Sequence, residues 1–211
     1  MTSRIKLIIG ESPYPGKLKY KKIEVKNYLK INNDKELSVG FIAVSKRDDN
    51  KLEWCNTMEL VMNLFYEDIR ENLVENKDEL LQKLYNDEIY LINIYNKLLE
   101  KENRNGKKLI DKDSNNIDIV GEFINHSNNR DKEIDILMIG NEAINIVTKY
   151  CCRKGFSNVT LYSIIHPAAF GRNFENRIKC WEHFNYNDVK YSSSKNVIKA
   201  FRKNKVEAEN N

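Results

Sequence analysis

The sequence predicts an α/β fold: a three-layer α/β/α arrangement around a central four-stranded parallel sheet. Three observations predict it. Four short apolar runs, residues 4–9, 88–93, 134–140 and 159–165, have the length and composition of strands buried on both faces. The stretches between them carry apolar residues at helical spacing, as helices packed on a sheet do. Three of the four runs end in a conspicuous feature: Gly10-Glu11-Ser12-Pro13-Tyr14, Asn93, and His166-Pro167. In a parallel sheet these would share the edge where ligands bind.

The remaining elements follow in order. Residues 37–44 are short and β-prone, and Asn56 with Glu59 three residues later resembles a helix start. That helix would carry Val61, Phe65, Ile69 and Leu73 on one side. Residues 77–85 read as a second helix, 100–116 as a long polar loop, and 118–126 as a helix followed by a turn over 127–132. Residues 141–152 form a helix with Ala143, Val147 and Tyr150 inward, and Phe174, Ile178 and Trp181 mark the core face of a last one.

Length and composition set the bounds. The 211 residues suit one domain over 1–206, with a disordered tail at 207–211. Hydrophobic residues at 41% and charged ones at 31% are ordinary for a globular protein. No apolar stretch approaches the ~20 residues that cross a membrane, and the N-terminus lacks a signal-peptide pattern. The expectation is an intracellular monomer without a membrane. Cys55, Cys151, Cys152 and Cys180 contain no C-x-x-C pair, and adjacent helical cysteines point about 100° apart. Free thiols and no metal are expected.

The turn at residues 10–17 combines a glycine, which permits close backbone approach, with two prolines that fix φ. Lys17, Lys19, Lys21, Lys22 and Lys26 crowd the segment after it, and a second basic cluster spans Lys195 to Lys205. Net charge is only +4, so each cluster reads either as a solvated face or, for the first, as a phosphate-contacting lip. A P-loop is excluded: five residues separate Gly10 from Gly16, Leu18 stands where Ser or Thr is needed, and proline lacks the N–H a phosphate requires. A dinucleotide fingerprint is absent.

Four motifs in order resemble the uracil-DNA glycosylase superfamily. Gly10-Glu11-Ser12-Pro13-Tyr14-Pro15 is similar to its first motif, Gly-Gln-Asp-Pro-Tyr-His, and closer to the poxvirus version ending in Pro. Tyr90-Leu91-Ile92-Asn93 resembles the strand bearing a base-reading asparagine, and Leu137-Met138-Ile139-Gly140 the Leu-Leu-Trp-Gly strand after it. His166-Pro167-Ala168-Ala169-Phe170 is similar to His-Pro-Ser-Pro-Leu, again nearest the poxvirus form. The resemblance covers roughly residues 5–184.

What the resemblance implies is a metal-free, cofactor-free enzyme that removes uracil or another altered base from DNA. Asn93 would read the pyrimidine edge, Tyr14 would exclude thymine's methyl group, and Phe41 (or Ala43, in a shifted register) would stack on the flipped base. His166 would stabilise the departing base anion. Phe170 would wedge into the stack, unless it is a core residue, with Pro167 beside it. Lys17, Lys19 and Arg172 would contact DNA phosphates. Ser12 departs from the family's usual aspartate, and serine is no base at neutral pH. Glu11, as in family branches reading Gly-Glu-Ala-Pro-Gly, becomes the candidate for positioning water. The alternative is a catalytically weak or inactive DNA-binding module with a replication or repair protein as partner, as in the poxvirus members.

Overall fold

The computed structural model describes residues 4–11, 19–45, 47–48, 50–63, 65–66, 76–102, 108–164 and 166, with the backbone alone at 19–22 and at 56, 60, 100, 102 and 108. The fold is mixed α/β, with a central, mostly parallel sheet flanked by helices.

The chain opens with β1 (Arg4–Gly10), β2 (Lys19–Glu24), the single turn α1 (Val25–Tyr28) and β3 (Glu36–Val44). Next come α2 (Asn56–Met62), α3 (Lys77–Asn86) and β4 (Ile89–Asn93). A two-stranded excursion, β5 (Leu98–Glu102) and β6 (Lys108–Ile110), leads through a 3-10 turn at Lys112–Ser114 into α4 (Ile117–Asn125). β7 (Glu133–Ile139), α5 (Asn141–Lys154) and β8 (Val159–Ile164) complete the described elements.

The main sheet runs β2-β3-β4-β1-β7-β8. The four strands expected from apolar runs are its parallel part: β1 pairs with β4 and β7, and β7 with β8. Among the described residues the expectation of four strands is corrected to six in this sheet, because β3 pairs antiparallel with β4 and β2 antiparallel with β3. β2 escaped the sequence because its Lys-Tyr-Lys-Lys-Ile-Glu reads as a basic segment. Lysine is what a sheet edge uses to deter pairing with other chains. β5 and β6 likewise replace part of the expected loop at 100–116.

The core is continuous across β1, β3, β4 and β7, whose inner residues are buried to the last: Leu7, Ile8, Leu91, Ile92, Ile136 and Leu137 are all solvent-free. Strands buried on both faces carry unbroken apolar runs for that reason. At the amino-terminal end of this sheet one charge is buried with them. Asp135, fully inaccessible, accepts from Arg4 Nη1 at 2.8 Å and from the buried Lys6 ammonium.

The helices follow local signals. Asn76 caps α3 by accepting from the N–H groups of Asp78 (2.8 Å) and Glu79 (3.3 Å). α5 ends at Gly155, whose φ of +67° is the left-handed cap a glycine supplies. α2 is shorter than expected. Cys55, not Asn56, holds its N-cap position, with no side-chain capping bond, and the helix closes at Asn63, so Phe65 packs on the core from beyond it. Ile69, Leu73 and the expected helix at Phe174, Ile178 and Trp181 lie outside the described residues, as does the tail at 207–211.

Candidate active site

Parallel strands bring their carboxyl ends to one edge, and the register sets which residues are level there. Gly10 of β1 lies beside Asn93 of β4, and Ile9 beside Met138 of β7, so Glu11 is level with Gly140. Ile139 lies beside Ile164 of β8, which brings His166 to the same edge. At about 4.8 Å per strand, Asn93 and His166 stand roughly 14 Å apart with Glu11 between them.

Gly10, Phe41 and Asn93 form one tight group. A Cβ on Gly10 would sit 2.7 Å from Phe41 Cζ and 3.0 Å from Asn93 Oδ1. The ring reaches this position through an irregularity in β3. Lys22 pairs with Ser38 and Tyr20 with Ala43, so residues 39–42 bulge opposite Lys21 alone. Inside that bulge Phe41 has φ of +62°. A bulky residue in the left-handed region is an outlier that costs of order 1–3 kcal/mol, and such strain gathers at functional sites. Gly40 makes room for it: a Cβ there would meet the Ile92 carbonyl oxygen at 2.9 Å.

Asn93 is 2% exposed, and its amide is oriented. Nδ2 donates to Ser38 Oγ at 2.8 Å, which turns Oδ1 toward Gly10 and Phe41. The Asn93 carbonyl accepts from Asn116 Nδ2 at 2.9 Å, and Ile94 N–H donates to the Gly10 carbonyl at 2.9 Å. Among the described residues, the Oδ1 acceptor and the second N–H of this amide make no hydrogen bond.

Glu11 is half-buried, and its carboxyl is pushed above the usual range: burial raises it, Lys112 opposes that, and Glu142 adds to it. Its backbone carbonyl accepts from Tyr95 N–H at 2.9 Å. Around it, the Tyr95 hydroxyl donates to Glu142 Oε1 at 2.9 Å and lies 3.2 Å from Lys112 Nζ, which is itself paired with Glu142. Tyr95, Lys112 and Glu142 were invisible as a group in the sequence. Two of them had a signal, since Tyr95 follows Asn93 by two residues and Glu142 opens the helix after Gly140. Lys112 had none.

His166 packs on the next strand end. A Cβ on Gly140, whose φ is +97°, would meet His166 Cβ at 3.4 Å, and Gly140 N–H donates to the Ile164 carbonyl at 3.0 Å. The structure therefore gathers Gly10, Phe41 and Asn93 at one point, with Glu11 next to them and His166 further along the edge. Ser12, Tyr14, Lys17, Pro167, Phe170 and Arg172 lie outside the described residues, as does the Lys19 side chain, whose backbone pairs with Val44.

Among the described residues, Cys55, Cys151 and Cys152 form no disulfide, and no cluster of three His, Cys, Asp or Glu side chains forms a metal cage. No family model, curated protein or solved structure matches the chain.

Proposed function

We propose that this protein is a DNA glycosylase that hydrolyses the N-glycosidic bond of uracil, or of another altered base, flipped out of DNA. In full the proposal is a three-layer, uracil-DNA glycosylase-like domain acting without metal or cofactor. One observation carries it: a strained, buried phenylalanine, a side-chain-free glycine and an oriented asparagine amide meet at the carboxyl edge of the sheet. A flat ring to stack on, seated against a glycine with no side chain to displace it, and a donor–acceptor pair to read the base's edge are what a pyrimidine pocket needs.

In this reading Asn93 Oδ1 accepts from the uracil N3–H while its free amide N–H donates to O4. Cytosine presents the opposite pattern and is rejected. Phe41 stacks on the base. Bond cleavage leaves negative charge on the base and positive charge on the sugar. The His166 imidazole N–H donates to the base O2, an effect worth about 3–4 kcal/mol where such donors are measured. The roughly 14 Å between the two strand ends is spanned by a pyrimidine ring plus the reach of both side chains. Glu11, between them, holds the water that attacks the sugar carbon, and the proton passes to its carboxylate. Tyr14 excludes the thymine methyl, while Phe170, Pro167, Lys17, Lys19 and Arg172 engage the DNA.

The test is release of free base from DNA carrying uracil, hypoxanthine or modified pyrimidines, read by mass detection. Wild type should release at least one base, and Asn93→Ala and His166→Ala should be crippled. No release across the panel would sink the proposal.

Ser12 in place of the family's aspartate favours a second reading, a DNA-binding accessory protein of weak or no turnover. It requires salt-sensitive DNA binding that Glu11→Gln leaves intact while base release is absent.

A further inference from the structure

β1 lies between two neighbours, β4 and β7, that both run parallel to it and end level with it. The residues that follow those neighbours meet across its end. Tyr95, just past β4, donates its hydroxyl to Glu142 Oε1 at 2.9 Å, and Glu142 lies in the first turn of α5, just past β7. A side-chain bridge thus crosses over the point where the chain leaves β1, at Glu11. Tyr95 also holds the Glu11 backbone directly, through its N–H to the Glu11 carbonyl at 2.9 Å.

Lys112 closes the bridge from a third direction. Its ammonium pairs with Glu142, stands 3.2 Å from the Tyr95 hydroxyl and sits 4.4 Å over the Tyr95 ring centre. The 3-10 turn that carries it is itself pinned. Asp111 accepts from Asp113 N–H at 3.1 Å, and Asn96 N–H donates to the Ser114 carbonyl at 2.9 Å. A surface ion pair of long side chains is worth little by itself. This one is different in geometry, because a ring, a hydroxyl and a carboxylate hold the lysine on three sides.

We propose that Tyr95, Lys112 and Glu142 are the positioning residues of Glu11, a strap that holds its carboxylate at the strand end and tunes its charge for water activation. The assignment rests on Glu11 acting as the water-positioning group, and it deepens that role. Among the described residues the charges that act on the Glu11 carboxyl are Lys112 and Glu142, from the segments after β6 and β7, while Tyr95, after β4, holds its backbone and joins the two. Within the strap the charges have divided roles. Lys112 is attracted to Glu11 and favours the carboxylate. Glu142 repels it but engages Lys112, and the Tyr95 hydroxyl orients both. Glu142 is held below the usual carboxylate range by its hydrogen bonds to Lys112 and Tyr95, so it stays charged where Glu11 titrates.

The opposite signs of Lys112 and Glu142 make the strap testable apart from the reaction. The probe is the Glu11 carboxyl itself, followed by carbon NMR of the full chain with labelled glutamate and assigned by its loss in Glu11→Gln. Lys112→Met should move the Glu11 titration to higher pH, and Lys112→Arg should restore it. Glu142→Gln should move it to lower pH, because a repulsion is removed and Lys112 is released toward Glu11. Tyr95→Phe should shrink the difference between the two. Where base is released, the acid limb of its pH–rate profile should move with each titration. Glu11 titrations that coincide in wild type, Lys112→Met and Glu142→Gln overturn the strap. A wild type that releases no base while these shifts occur overturns the glycosylase reading and leaves the strap standing.

Discussion

The Phe41 ring occupies the space a side chain on Gly10 would need: Cζ lies 2.7 Å from where that Cβ would be. Two residues 31 positions apart in the chain therefore constrain each other, one by having no side chain and the other by its strained backbone.

Gly10→Ala should separate stability from function. The added methyl must displace either the ring or the Asn93 amide, 3.0 Å away, and overpacking of this kind costs about 1–3 kcal/mol. Urea unfolding should show that loss, and base release should fall further than the folded fraction does. Unchanged release in a folded Gly10→Ala protein would mean that the Phe41 ring is not the stacking surface.

Ser38→Ala should relax base discrimination. Ser38 is fully buried, and its Oγ is what turns the Asn93 amide, at 2.8 Å. Losing the bond costs about 1 kcal/mol of stability. It also frees the amide to rotate, so the preference for uracil over cytosine should drop by about tenfold in paired rate measurements.

Glu11→Gln should slow base release by about 10²–10⁴-fold, the usual cost of losing a general base. In wild type the burial-raised carboxyl must ionise before it works, so release should fall as pH drops through a value above the ordinary glutamate range. The sign for stability is opposite. With its folded pKa above the unfolded one, Glu11 binds its proton more tightly in the native state, so its contribution declines as pH rises through that window. Glu11→Gln should therefore melt higher than wild type at neutral pH, which differential scanning calorimetry reads directly.

Lys6→Met should destabilise without touching the site. It takes the Lys6 ammonium away from the fully buried Asp135, and breaking a buried pair typically costs about 3–5 kcal/mol. The ion triad lies at the amino-terminal end of the sheet, opposite the Asn93–His166 edge. Base release per folded molecule should stay at the wild-type level in denaturant-free buffer.

What the sequence made legible was the buried parallel part of the sheet. β1, β4 and β7 are strands whose apolar runs survive because both faces are covered, while β8 is buried only at its end. α3, α4 and α5 were legible as helices, α5 also by the spacing of its inward Ala143, Val147 and Tyr150. The convergence of Gly10, Phe41 and Asn93 was readable through motif resemblance. β2 was not readable, since an edge strand of lysines carries no hydrophobic alternation to count. The Phe41 bulge was also hidden, because nothing local marks a phenylalanine for positive φ. Asn116 behind Asn93, and Lys112 beside Glu142, are joined by tertiary pairing across 23 and 30 residues, which no periodicity encodes.

The place of β1 in the sheet also governs when the site can exist. Arg4 pairs with Glu133, and Lys6 meets Asp135 across 129 residues of chain. Of the described strands, the earliest in the chain lies inside the sheet, yet one of its two neighbours, β7, comes after all the others but β8. Contacts this distant in sequence are slow to form. Gly10, Glu11 and Phe41 are thus made long before the strand that levels them, and their convergence should appear as a late, abrupt event in refolding.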